Sequence, residues 1–262
     1  MKITIYPPQK QAVGAFDGGK ITEQKPIGFP GEGSAVKGIG PLFYWAWAHT
    51  PEEGYIPMHP HQAFEIITYM VNGQAAHEDS LGTRSVVQAG GIQVMQTGSG
   101  VSHAERFIGP DSEGFQIWFE PHIREALQRK PTYRQYEHEA FPVQPSEGMT
   151  VKTIIGEDAS VELVTDIRMW DVELLPGSTY RHSLQAGKVL AALAIRGDGG
   201  VWTAAGDTAG TVTPVSFQNK DFSVLEAEGT AASELLLTAD SKLRMILIEV
   251  PAEVDYPLYK KR

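Results

Sequence analysis

The chain has no cysteine among its 262 residues. That absence excludes a disulfide framework, a thiolate metal site and a cysteine nucleophile. Any metal must therefore be held by nitrogen and oxygen donors. Positive charge is also scarce: 22 Lys and Arg stand against 32 Asp and Glu, a formal net charge of −10. An acidic surface repels phosphate backbones, which argues against direct nucleic-acid binding and otherwise serves solubility. Long apolar runs are missing too. The longest, Val189 to Ile195, is far too short to span a membrane as a helix. The opening residues MKITIYPPQKQ have no apolar signal region, so the default expectation is a cytoplasmic protein without a membrane partner.

What is present suits an all-β protein with few short helices. The hydrophobic fraction of 42% supplies a core, and 27 Gly with 17 Pro supply many turns. Short apolar or alternating runs recur between turn residues, as in Phe64 to Val71, Ile92 to Gln96 and Phe115 to Phe119. Asn72-Gly73 predicts a hairpin, and Leu81-Gly82 a second turn. The helix expected in the first half runs from Ile123 to Lys130, after Pro121. The polar, proline-containing stretch from Gln135 to Gly148 reads as a connection between two domains, 1–140 and 141–262.

Two histidine motifs carry the chemistry. His59-Pro60-His61 and His103-Ala104-Glu105 each place two donors at i and i+2, which share one face of a strand. If the two strands are neighbours facing a barrel interior, His59, His61, His103 and Glu105 converge on one ion. Pro60 stiffens the first pair and implies an edge or mouth position. Thr97-Gly98-Ser99-Gly100 permits a tight turn before the second pair. A single buried histidine is more often a hydrogen-bonded core residue, but two paired motifs outweigh that reading. Glu65 shares the strand parity of His61 yet lies ~13 Å further along an extended strand, so it is expected to orient a ligand or face substrate. His77 is expected to be structural or exposed at a hairpin; His49, His122 and His138 are expected to be solvated or locally bonded. Four ligands on one side leave open positions, which favours Fe(II) over a closed structural zinc, with Mn, Ni, Cu or Zn as alternatives.

A faint repeat links the halves. Gly54, His59, His61 and Glu65 recur at the same offsets as Gly177, His182, Leu184 and Lys188. The second copy keeps one histidine and cannot rebuild the same ligand set. This predicts a duplicated barrel with a metal site in the first copy and a structural second copy.

The runs His59-Pro60-His61, Phe64-Glu65-Ile66, Ala76 to Gly82, Gln93-Val94-Met95, Gly98 to Glu105 and Gln116-Ile117-Trp118 together resemble the pirin family, a branch of the cupins. The resemblance is dense from Gly54 to Phe119, and beyond it the second half shares only a layout. Leu42 to Trp47 stands where many pirins have an acidic, leucine-rich segment. The resemblance implies two stacked cupin barrels of jelly-roll type and one metal, usually iron, on His59, His61, His103 and Glu105.

It also implies two activities. Some members resemble quercetin 2,3-dioxygenase, opening a flavonol's oxygen-bearing ring with O2 and releasing carbon monoxide. Others are metal-dependent partners of a transcription factor or a metabolic enzyme, with the ion's charge controlling affinity. In the enzymatic reading, Glu105 or Glu65 is the general base. The walls of a pocket for a small aromatic substrate then fall to Phe43, Trp45, Trp47, Met95, Phe115 and Phe119, with Gln116 as a polar donor. A sugar isomerase would call for a more polar pocket, and the aromatic stretch Phe43 to Trp47 argues against it.

Overall fold

The computed structural model describes residues 1–204 and 213–260. Its first ten strands are β1 (Lys2–Tyr6), β2 (Ala12–Phe16), β3 (Ile21–Ile27), β4 (Leu42–Thr50), β5 (Glu53–His61), β6 (Glu65–Asp79), β7 (Arg84–Gln88), β8 (Ile92–Gln96), β9 (Val101–Phe119) and β10 (Thr132–Tyr136). Ten more follow: β11 (Val143–Ser146), β12 (Met149–Ile155), β13 (Arg168–Leu174), β14 (Thr179–Leu184), β15 (Lys188–Arg196), β16 (Gly199–Ala204), β17 (Val215–Gln218), β18 (Phe222–Glu226), β19 (Ser233–Ala239) and β20 (Leu243–Pro251). The expected helix is shorter than its sequence span: α1 covers only Ile123–Ala126. Among the described residues no helix is long and apolar enough to cross a membrane.

The chain divides into two compact units. The histidine motifs lie in the unit built from Lys10–Ala140, Ser160–Thr165 and residues 254–260; the other comprises Met1–Gln9, Phe141–Ala159 and Asp166–Glu253. This departs from a single cut between residues 140 and 141. The physical reason at the N-terminus is strand pairing: β1 is an edge strand on β18, with Lys2 opposite Glu226 and Tyr6 opposite Phe222.

In the histidine unit, two long strands build the barrel. The first half of β6 pairs with β8 and with the second half of β9; its second half pairs with β7 and with the first half of β9. β9 in turn carries β5 on its first half and β4 on its second. Both long strands thus serve two faces and must bend between them. The bend in β6 falls at Asn72-Gly73, where the pairing register with β9 shifts. The expected hairpin is therefore a bulge within a continuous strand. The residues that favour a tight turn also favour a bulge, because Gly73 adopts φ +72°. The reversal comes later, at Leu81-Gly82, where Asp79 Oδ1 accepts the Leu81 and Thr83 amides at 2.9 and 3.0 Å.

The other unit pairs a seven-stranded sheet (β1-β18-β15-β20-β13-β12-β11) with a four-stranded one (β14-β19-β16-β17). Leu190, Leu225 and Leu247 from the first sheet meet Trp202, Leu235 and Leu237 from the second in one core. His182 is buried there. Its Nε2–H donates to Glu249 at 2.9 Å, and Tyr180 Oη lies 3.2 Å from its Nδ1. Of its repeat partners, Leu184 lies in the core and Lys188 pairs with Asp166.

A Cβ at Gly73 would stand 2.8 Å from the Ser112 backbone in a left-handed conformation. Gly73→Ala is therefore expected to lower stability by about 1–3 kcal/mol. A shift of the urea midpoint to lower concentration at unchanged m-value checks this, and an unchanged midpoint would refute the bulge assignment.

Candidate metal centre

β5 and the first half of β9 are antiparallel neighbours, with His59 opposite His103 and His61 opposite Val101. Period-two alternation then sends His59, His61 and His103 to one interior face. Their ligand atoms lie within 4.8 Å of one another. His103 Nε2 stands 3.0 Å from His61 Nε2 and 3.1 Å from His59 Nε2. The register shifts between Ile56 and His59, and His59 Nδ1–H donates to the Pro57 carbonyl at 2.8 Å. That bond fixes the tautomer and leaves the His59 Nε2 lone pair aimed at the cluster.

The imidazoles suit a cation. Burial first, and neighbouring imidazoles second, push His61 and His103 down to about 3, so both are neutral at pH 7 and offer lone pairs. The three imidazole nitrogens facing one another share too few protons to satisfy every contact, and among the described residues His103 Nδ1 is buried without a hydrogen-bond partner. At metal–nitrogen distances of about 2.0–2.1 Å, nitrogens in adjacent positions about 90° apart on one ion stand roughly 3 Å from each other. The observed separations match that spacing.

Glu105 is adjacent but outside the three-nitrogen cluster. Its Oε2 lies 4.0 Å from His103 Nε2. Thr68 Oγ1 donates to Oε1 at 3.1 Å and Gln116 Nε2 to Oε2 at 2.6 Å. Gln116 Oε1 in turn accepts Trp118 Nε1–H at 3.1 Å, and the Trp118 ring meets His61 edge-on at 4.7 Å. His77 is buried, not exposed, with its ring stacked on Tyr133 at 4.3 Å and tilted against His103 at 5.3 Å. Burial alone would raise the Asp79 carboxyl, but hydrogen bonds from His77, Thr83 and Leu81 hold it below its ordinary value.

Several expected residues lie elsewhere. Glu65 is not available as a base. Its Oε1 accepts Gln96 Nε2 and the Val164 amide, both at 2.7 Å; its Oε2 accepts the Thr165 amide at 2.9 Å and hydroxyl at 2.6 Å. Strand parity does not carry from His61 to Glu65, because Gln62, Ala63 and Phe64 separate β5 from β6 and Ala63 turns the chain at φ +65°. Trp45, Trp47 and Phe115 pack together, with Trp47 and Phe115 stacked at 6.0 Å. They sit on the strand faces opposite Tyr44, Ala46 and Gln116, and Phe119 shares the parity of Phe115. Phe43 and Met95 do join the apolar cluster beside His61, along with Tyr44 and Trp118. Phe29, Phe64 and Tyr259 pack against it; isolated aromatics near turns carry no periodic signal that would mark them in the sequence.

Two outcomes follow. Glu65→Ala strips four donors of a buried acceptor and is expected to lower stability by about 2–4 kcal/mol in chemical denaturation, with metal content unchanged; full stability would contradict a tethering role. For pH, His103 titrates near 3 when folded and about 6.5 when unfolded. The unfolded state therefore binds more protons between those values, and stability falls as pH drops through that window. In metal-free protein, His103→Asn should make the decline of the thermal midpoint between pH 6 and 4 shallower; an equal slope would refute it.

Known proteins share parts of this sequence and this fold. The Pirin family profile matches residues 46–119. A Pirin-like protein of Caulobacter vibrioides is 32% identical over 194 residues, covering 71% of this chain and 77% of that protein. The chain spans about half or less of several other curated relatives, 38% to 52% of their length. Among solved structures, bacterial pirin YhhW from Escherichia coli in complex with nickel(II) superposes with TM-score 0.74 at 22% identity, over 97% of this chain and 100% of that one. Quercetin 2,3-dioxygenase from Acinetobacter baumannii gives TM-score 0.75 at 19% identity, over 98% and 89%. These two likenesses concern the fold, whereas the Caulobacter relative extends the sequence match well beyond the histidine motifs, and on that evidence this chain belongs to the pirin family.

Proposed function

We propose that this chain binds one divalent transition metal through His59, His61, His103 and Glu105, and acts as a quercetin 2,3-dioxygenase-like enzyme that opens a flavonol ring with O2. The observation that carries the reading is the convergence of three imidazole nitrogens, with His103 Nε2 at 3.0 Å from His61 and 3.1 Å from His59. The nickel(II) complex of a pirin and the fold shared with a quercetin 2,3-dioxygenase support it. Iron is the first choice, because three imidazoles and a carboxylate suit Fe(II).

When bound, the ion supplies Lewis acidity, which lowers the pKa of a coordinated hydroxyl. The residues do the rest. His59, His61 and His103 bind through Nε2. Glu105, oriented by Thr68 and Gln116, takes the flavonol hydroxyl proton as general base. Phe43, Met95, Phe64 and Trp118 form an apolar wall against which flat aromatic rings stack while water is excluded.

The test is metal content per chain by plasma mass spectrometry, on protein purified without added metal, followed by aerobic incubation with quercetin. About one transition ion per chain with loss of the flavonol absorption is expected. His61→Ala and His103→Ala should lose most of the metal and all turnover; full occupancy in either variant would sink the ligand set. Metal without turnover would move the weight to a regulatory metal-dependent module that binds a protein.

A further inference from the structure

His61 ends β5, and the chain must reach β6 through Gln62, Ala63 and Phe64. One side of this turn is tied to the loop before β9. Gln62 Nε2 donates to Ser99 O at 2.8 Å, the Ala63 amide to Gly98 O at 3.0 Å, and the Phe64 amide to Thr97 Oγ1 at 2.8 Å. The turn depends on Ala63 at φ +65°, a left-handed conformation that a Cβ disfavours. Ala63 is 3% exposed, so its carbonyl needs a donor from within the protein. That donor is the Tyr259 hydroxyl, at 2.5 Å.

Tyr259 comes from a strap, residues 254–260, that belongs to the same unit. The strap is anchored apart from the turn: the Tyr259 amide donates to Glu120 Oε2 at 2.5 Å, and Tyr256 Oη to the Glu120 carbonyl at 3.0 Å. The Tyr259 ring also packs on Phe64 at 5.0 Å, Phe64 on Trp118 at 5.1 Å, and Trp118 on His61 at 4.7 Å. A polar path and an apolar path from one side chain thus both end at His61.

We propose that Tyr259 is a positioning residue for the histidine cluster. Its hydroxyl and ring hold the turn after β5 in the conformation that aims His61 at His103. The proposal rests on the metal-centre reading above. His59 has its own support from the Pro57 carbonyl, whereas His61 sits at the strand end and takes its direction from the turn that follows. Removing the Tyr259 hydroxyl leaves a buried carbonyl without its donor at a left-handed residue. The turn then relaxes at 62–64, and the adjacent His61 moves.

The experiment uses the full chain as parent, Tyr259→Phe, and Tyr256→Phe as a control that loses a strap anchor without touching the turn. Co2+ is the probe. Its affinity is read by chelator competition, its geometry by ligand-field absorption, and the turn by amide hydrogen exchange at Ala63 and Phe64 in metal-free protein. Tyr259→Phe is expected to bind Co2+ about tenfold more weakly, with an altered spectrum and faster exchange at both amides, while Tyr256→Phe behaves as the parent. Parental affinity, spectrum and exchange in Tyr259→Phe would overturn the proposal, as would equal changes in Tyr256→Phe. A parent that binds no Co2+ would overturn the metal centre itself, and the positioning role with it.

Discussion

Three imidazoles facing one another at hydrogen-bond distance are an unstable arrangement by themselves, and the histidine unit is organised around holding them there. The hold begins with the pairing of β5 against the first half of β9, which sets His59 opposite His103. His61 and His103 lose hydration on burial and stay neutral at pH 7, and together with His59 they compete for too few hydrogens. The surrounding residues fix orientations that the cluster would not choose. Pro57 selects the His59 tautomer, and His77 packs beside His103. Thr68 and Gln116 keep the Glu105 carboxylate beside the cluster without letting it collapse into it.

The parts of this site written in local periodicity could be read from sequence. His-X-His and His-X-Glu need only the alternation of a strand, and that rule survives folding. Glu65 failed the same rule because Ala63 occupies a left-handed conformation usually reserved for glycine, so nothing in the sequence announced that parity restarts at β6. The stretch from Leu42 to Trp47 is apolar on both faces, which removes the phase information. The register shifts between Leu42 and Tyr44, and Tyr44, not Trp45, joins the cluster around Trp118. Asn72-Gly73 was ambiguous in a different way: a bulge and a hairpin draw on the same freedom at glycine.

The second unit shows what a barrel of this kind becomes without a histidine cluster. The repeat aligned His182 with His59, but His182 is committed to Glu249 and Tyr180, and Leu184 is absorbed into the apolar core. A buried imidazole satisfied on both nitrogens by protein groups holds its two sheets together. His59, His61 and His103 instead point their Nε2 atoms at one another, and that contrast distinguishes a structural histidine from a ligand more sharply than burial does.

The composition of the histidine unit also sets an order of assembly. Its barrel is encoded by residues 10–140, but Thr165 and Tyr259 supply hydrogen bonds to Glu65 and Ala63 from far downstream. During synthesis from the N-terminus, a nascent chain that has just emerged through residue 140 has the histidines and neither of these ties. The barrel can form its ladders early, yet Glu65 waits with unfilled acceptors, and the turn beside His61 waits longer, until the residues around 259 arrive. The histidine unit is therefore begun by residues 10–140 and completed only once residues 160–165 and 254–260 have followed.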